Sequence, residues 1–96
     1  MKPKFSIALC TFNSIEYIEQ CINSLLHQTL KDFELIIVDD GSSDGTIDYL
    51  NQLTDPRIWL QILGQNHGLI YARTQAFAAA RADYIALMDA DDIAQP

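Results

Sequence analysis

An α/β fold built on a parallel, doubly wound sheet is the class this sequence predicts, on three observations. Short apolar runs alternate with helical patterns along all 96 residues. The strongest run, Phe33 to Val38, is nearly continuous in apolar and β-branched residues, as in strands covered on both faces. Carboxylates collect where runs end: Asp39 and Asp40 after the second strand, Asp89, Asp91 and Asp92 after the fourth.

Each element has its own signal. Phe5 to Cys10 reads as a buried strand. Asn13 with Glu16 three residues on has the spacing of a capping box. Ile18, Ile22, Leu25 and Leu26 then make one apolar helix face. Phe33 to Val38 is the second strand, and Asp39 to Gly45 is a loop by composition. A short helix from Thr46 to about Leu53 turns Ile47 and Leu50 inward. After the Asp55-Pro56 turn, Ile58 to Leu63 is a third strand. Asn66-His67-Gly68 is a turn, and Leu69 to about Ala80 is an alanine-rich helix. Tyr84 to Met88 is the fourth strand. Right-handed crossovers then give the strand order 3-2-1-4 as the simplest arrangement. The winding reverses between strands 1 and 4, and ligands of such sheets bind outside the C-terminal strand ends at that point.

Composition excludes several classes. Apolar residues make up 49% and charged residues 20%, the balance of a packed globular chain. No apolar run approaches the roughly 20 residues of a membrane span, and no secretory signal is recognisable. Six basic residues against thirteen acidic ones give a net charge of −7, which argues against a nucleic-acid partner. Cys10 and Cys21 sit in no CxxC pair or metal spacing and read as reduced thiols of a cytosolic compartment. No GxGxxG follows the first strand, and neither a P-loop nor a GxSxG elbow occurs.

Thr11-Phe12-Asn13 ends the first strand. In the order 3-2-1-4 this loop lies between the two acidic ones, so five carboxylates share one crevice. Like charges packed together need neutralising. A hard divalent cation, Mn²⁺ or Mg²⁺, bridging to a phosphorylated ligand supplies that. The plain alternative is a solvated acidic turn.

Five segments, taken in order, resemble the opening of a family 2 glycosyltransferase. They are Ser6 to Asn13, Ser24 to Thr29, Phe33 to Thr46, Asn66-His67-Gly68 with Ala72-Arg73, and Tyr84 to Asp92. The resemblance covers nearly the whole chain. It implies the GT-A type of fold and transfer of a sugar, with inversion, from a nucleotide-diphospho-sugar to an acceptor hydroxyl. The expected donor is a UDP-sugar, the acceptor a saccharide or a lipid-linked acceptor, and the cofactor Mn²⁺ or Mg²⁺. The setting implied is polysaccharide or cell-wall biosynthesis, in the cytoplasm or at the inner membrane face for the full-length protein.

Residue by residue, the resemblance sets Thr11 and Phe12 against the nucleotide base, with Asn13 in the same nucleotide-binding loop. Asp39 or Asp40, with Asp40 preferred, meets the base. Arg73 helps hold the nucleotide, Asp89 lies near the ribose and Asp91 holds the metal; Asp92 has no assigned role. Many relatives carry Pro where this chain has Cys10. The acceptor half and the general base are expected beyond Pro96. Residues 1–96 are therefore expected to form the nucleotide-binding half, to be inactive alone and to self-associate along the fourth strand.

Each residue also has a structural reading. Arg73 can snorkel along its helix, Phe12 can be core, and Thr11 can merely end a strand. His67 reads as a turn residue, the cysteines as core fillers, and Gly41 and Gly45 as turn glycines. Tyr17, Tyr49, Phe77 and Trp59 read as packing residues. Two other functions compete: a nucleotide-binding module without catalysis, and a phosphoacceptor signalling domain. The latter collects its acids after strands 1 and 3 and needs a late Lys, a pattern not met here.

Overall fold

The computed structural model describes residues 3–27 and 32–89. Seven elements follow in chain order: β1 (Phe5–Thr11), α1 (Ile18–Leu26), β2 (Phe33–Asp39), α2 (Thr46–Leu50), β3 (Ile58–Ile62), α3 (Leu69–Ala79) and β4 (Tyr84–Asp89). The strands form one four-stranded sheet in the order β3-β2-β1-β4, with every pairing parallel. This is the predicted architecture.

Both faces of the two central strands are covered, which explains their continuous apolar character. Strand side chains alternate with a period of two. Ile7, Leu9, Leu35 and Ile37 point to one face and pack with Ile18, Ile22 and Leu25 of α1 and Leu50 of α2. Ala8, Cys10, Ile36 and Val38 point to the other and meet Ala72 and Ala76 of α3. The second layer is built from smaller residues, so α3 can lie close to the sheet. Each fully buried Leu or Ile contributes about 1.5–3 kcal/mol of transfer free energy, so the first face supplies most of the apolar stabilisation. The far side of α3 and the edge strand are open: Ile70 is 82% exposed and Tyr84 69%.

One buried carboxylate ties the end of α3 to the sheet. Glu34 accepts hydrogen bonds from the Ser6 hydroxyl (2.5 Å), the Arg81 amide (2.7 Å) and Arg81 Nε (3.0 Å). Burial works to raise its pKa, but the bonds from Ser6 and Arg81 outweigh it and hold the carboxyl below its ordinary value. Arg81 stands three residues before β4, so the bond helps set where that strand enters.

The start of α1 differs from expectation. Asn13 is not its cap; it adopts φ +47°, a left-handed conformation that asparagine tolerates. The amides of Tyr17 and Ile18 both donate to the Ser14 carbonyl, so a turn precedes the helix and the expected Glu16 box does not form. The α2 helix also closes early, at Leu50, with tighter turns from the Gln52 and Leu53 amides. Tyr49 packs against the core as expected, but Tyr17, Trp59 and Phe77 are exposed rather than packed away. Among the described residues, no helix is long and apolar enough to cross a membrane.

Candidate functional site

Parallel pairing brings three strand ends together. Thr11 pairs with Asp39 across β1 and β2, and Cys10 pairs with Asp89 across β1 and β4. Outside these ends lies a cleft of about 420 Å³. Buried Cys10 and Ala72 form its floor. Half-exposed Phe12 and Tyr17 line it from the β1 loop, and Asn66 and Leu69 from the α3 side.

The β1 loop takes its shape from the loop after β2. Three successive amides, which no helical carbonyl can reach, each find a side chain there. Asn13 N donates to Ser42 Oγ (2.8 Å), Ser14 N to Thr46 Oγ1 (3.0 Å) and Ile15 N to Asp44 Oδ2 (3.2 Å). In return Ser43 N donates to Asn13 Oδ1 (2.8 Å). The caps missing from the local sequence are therefore supplied from about thirty residues away. Some loss of solvent at the exposed Asp44 works to raise its pKa, but bonds from Thr46 and Ile15 dominate and hold it below the ordinary carboxylate value.

The two acids after β2 are set differently. Asp39 is fully buried and accepts from Thr11 Oγ1 (2.6 Å), Ser42 N (2.9 Å) and Ser42 Oγ (2.6 Å). Asp40 lines the cleft and accepts from His67 N (2.7 Å) and Gly68 N (3.0 Å). Its carboxylate thus sits at the N-terminus of α3, where the helix dipole favours negative charge. Gly41, at φ +82°, makes this approach possible. A side chain there would meet the Gln65–Asn66 backbone, with Asn66 N only 2.6 Å from the added carbon.

Of the residues singled out in the sequence, Thr11, Phe12, Asn13 and Asp40 meet on the cleft. Asp39 lies behind it, bonded to Thr11. Arg73 is half-buried on α3, next to the lining residue Ala72 but not itself in the lining. Asp89 ends β4 alongside Cys10. Asp91 and Asp92 lie outside the described residues, as do Thr29 and its neighbour Gln28. Among the described residues no group of three His, Cys, Asp or Glu side chains is placed to hold a metal ion.

Tyr17 and Leu69 join the cleft without having been marked as site residues. Leu69 had no signal beyond its place after the Asn66-His67-Gly68 turn. Tyr17 was hidden because its position depends on where α1 begins. With aromatic rings on one wall and polar Asp40, Asn13 and Asn66 around them, the cleft suits a flat heteroaromatic ligand with a polar edge.

The profile of Glycosyl transferase family 2 matches residues 6–96. A Bacillus subtilis protein named as a teichuronic acid biosynthesis glycosyltransferase, TuaG, is 41% identical over 93 residues, covering 95% of this chain and 37% of that one. Among solved structures, S. aureus TarS 1-349 in complex with UDP-GlcNAc superposes with a TM-score of 0.84 at 30% identity, covering 92% of this chain and 26% of that one. The mannosyltransferase PcManGT from Pyrobaculum calidifontis, in complex with GDP-Man and Mn²⁺, has a TM-score of 0.85 at 24% identity over 95% of this chain and 28% of its own. The latter likeness is one of fold. The parallel order β3-β2-β1-β4 and these superpositions bear out the GT-A type of fold. The chain spans well under half the length of each of these proteins. By the profile match along nearly all of its length, the chain belongs to glycosyl transferase family 2.

Proposed function

We propose that this chain carries the nucleotide-sugar site of an inverting glycosyltransferase, with a UDP-sugar as donor and a saccharide or a lipid-linked acceptor. The observation that carries the reading is the cleft itself: Phe12 and Tyr17 beside Asp40 and Asn66, at the C-terminal ends of β1 and its neighbours. The UDP assignment draws support from TarS, a relative of similar fold seen with UDP-GlcNAc.

Phe12 offers its ring to the base, and Asp40 accepts from the base edge. Asp40 is preferred over Asp39 because it lines the cleft, whereas Asp39 lies behind it, bonded to Thr11 and Ser42. Thr11 and Asn13 hold the loop in place, Arg73 grips the nucleotide and Asp89 reaches the ribose. The Asp-x-Asp run begins where β4 ends, level with the cleft residue Cys10. Carboxylate oxygens there suit Mn²⁺ or Mg²⁺, and Asp91 would hold the ion. When bound, such an ion supplies positive charge to a departing diphosphate. The acceptor half and the base that deprotonates the acceptor belong, on this reading, to sequence beyond Pro96.

Isothermal titration with UDP tests the proposal. The chain carries a net charge of −7, so an anionic nucleotide is repelled until a cation intervenes. Binding is expected with Mn²⁺ and lost with EDTA. Equal affinity in both would remove the metal from the reading, and no binding under either condition would remove the nucleotide.

A further inference from the structure

We propose that Asp44 is a positioning residue for the nucleotide cleft, fixing from outside the loop that presents Phe12, Asn13 and Tyr17. The inference rests on the nucleotide reading of the cleft. Asp44 is exposed and is not among the residues that line the cleft, so its effect must pass through the loop.

The hydrogen-bond pattern shows how. Asp44 Oδ2 accepts from Ile15 N, while Oδ1 accepts from Thr46 N (3.1 Å) and Thr46 Oγ1 (2.6 Å). A threonine hydroxyl has a single proton. Because Thr46 gives that proton to Asp44, its lone pairs are left to receive Ser14 N (3.0 Å). Asp44 therefore governs two of the three bonds that the β1-loop amides donate across, one directly and one through a buried threonine. Ser14 in turn shapes Phe12: its Oγ accepts from Phe12 N (3.3 Å) and donates to Phe12 O (3.1 Å). The path from Asp44 to the Phe12 backbone is thus continuous, and Tyr17 starts from the same turn, its amide on the Ser14 carbonyl (2.9 Å). Both carboxylate oxygens are needed. An amide in place of the carboxylate keeps one acceptor and turns an NH₂ group toward a donor on the other side.

Asp44→Asn tests the idea, with Asp48→Asn as control for the loss of one negative charge on the adjoining helix α2. UDP with Mn²⁺ is titrated into both variants and the unaltered chain. Amide hydrogen exchange is followed at Ile15 and at Leu9 in the sheet centre. Losing a charge-assisted bond is expected to weaken UDP binding by roughly tenfold or more in Asp44→Asn, and less than about twofold in Asp48→Asn. Exchange at Ile15 should quicken while Leu9 stays protected. If Asp44→Asn binds UDP as Asp48→Asn does, the positioning role is wrong and the nucleotide reading stands. If Leu9 loosens as much as Ile15, Asp44 is a general stabiliser and the proposal is overturned. If the unaltered chain binds no UDP, both readings fall together.

Discussion

Replacing Gly41 by alanine separates backbone strain from crowding when it is set beside the same change at Gly64. Both glycines hold a left-handed φ, +82° and +84°. In either place alanine costs about 1 kcal/mol for a conformation that a Cβ disfavours. Their surroundings differ. Nothing lies within 4 Å of a Cβ at position 64. At position 41 the added carbon meets main-chain atoms of Gln65 and Asn66, the latter at 2.6 Å. Main-chain atoms cannot swing aside as a side-chain tip can, so the 65–68 loop must move. Overpacking of this kind adds typically about 1–3 kcal/mol. The movement also pulls the His67 and Gly68 amides off Asp40. Gly41→Ala should therefore cost about 2–4 kcal/mol against about 1 kcal/mol for Gly64→Ala. A 96-residue chain has roughly 5–14 kcal/mol of stability to lose, so the variant stays folded but with a visibly lower midpoint. Urea unfolding of both variants, followed by circular dichroism, measures the gap. Equal midpoint shifts would show that the two loops do not pack as described, and the Asp40 latch would lose its geometric basis.

Four other expectations can be checked on the same protein. Glu34→Gln should destabilise by about 1–3 kcal/mol in urea, because Ser6 and Arg81 lose a buried charged acceptor; an unchanged midpoint would contradict this. Glu34 and Asp55 are both held below their ordinary values, Asp55 by hydrogen bonds from the Arg57 guanidinium and amide, so the stability they contribute is full above those values and drains as pH falls through the folded ones. Urea midpoints should then decline between about pH 5 and pH 3, and a flat profile would refute the assignment. Asp91→Asn should weaken Mn²⁺-dependent UDP binding more than Asp92→Asn, and equal losses in titration would undo the choice of Asp91. Finally, among the described residues β4 is a sheet edge with Tyr84, Ile85 and Leu87 exposed, and such edges pair with copies of themselves; light scattering at micromolar concentration should show dimers or larger species, and a clean monomer would count against it.

The strand order was legible because each signal behind it is local. Phe33 to Val38 reads as doubly covered, the helices read by period, and handedness leaves few topologies. Strand ends were placed to within a residue for the same reason. The start of α1 was not legible. Asn13 and Glu16 have the spacing of a cap, but the Asn13 amide that Glu16 was expected to serve is taken by Ser42, and the Ser14 and Ile15 amides beside it by Thr46 and Asp44. Long-range satisfaction outcompeted a local motif, and no spacing rule reaches across that distance. The misreading of Tyr17 as a packing residue follows directly, since a helix begun at residue 14 would turn that ring elsewhere. Cleft residues such as Thr11 and Asp40 were visible because strand ends at a winding reversal are where ligands go. What the sequence could not show is that Asp39 and Asp40, adjacent in the chain, face different partners.

The sheet order also governs how the protein can emerge from a ribosome. β1 is the first of the described strands to be synthesised, yet it sits inside the sheet, and its second neighbour is β4, the last of them. Until residues 84–89 are delivered, the β1 flank that will receive them is an open row of amides and carbonyls on a half-built sheet. The Ala8–Cys10 face likewise waits for α3. Contacts this distant in sequence form slowly, and exposed edges are where nascent chains go astray. Completion of this sheet is therefore tied to the arrival of β4. A pause before Tyr84 would prolong the time for which that β1 flank stays open.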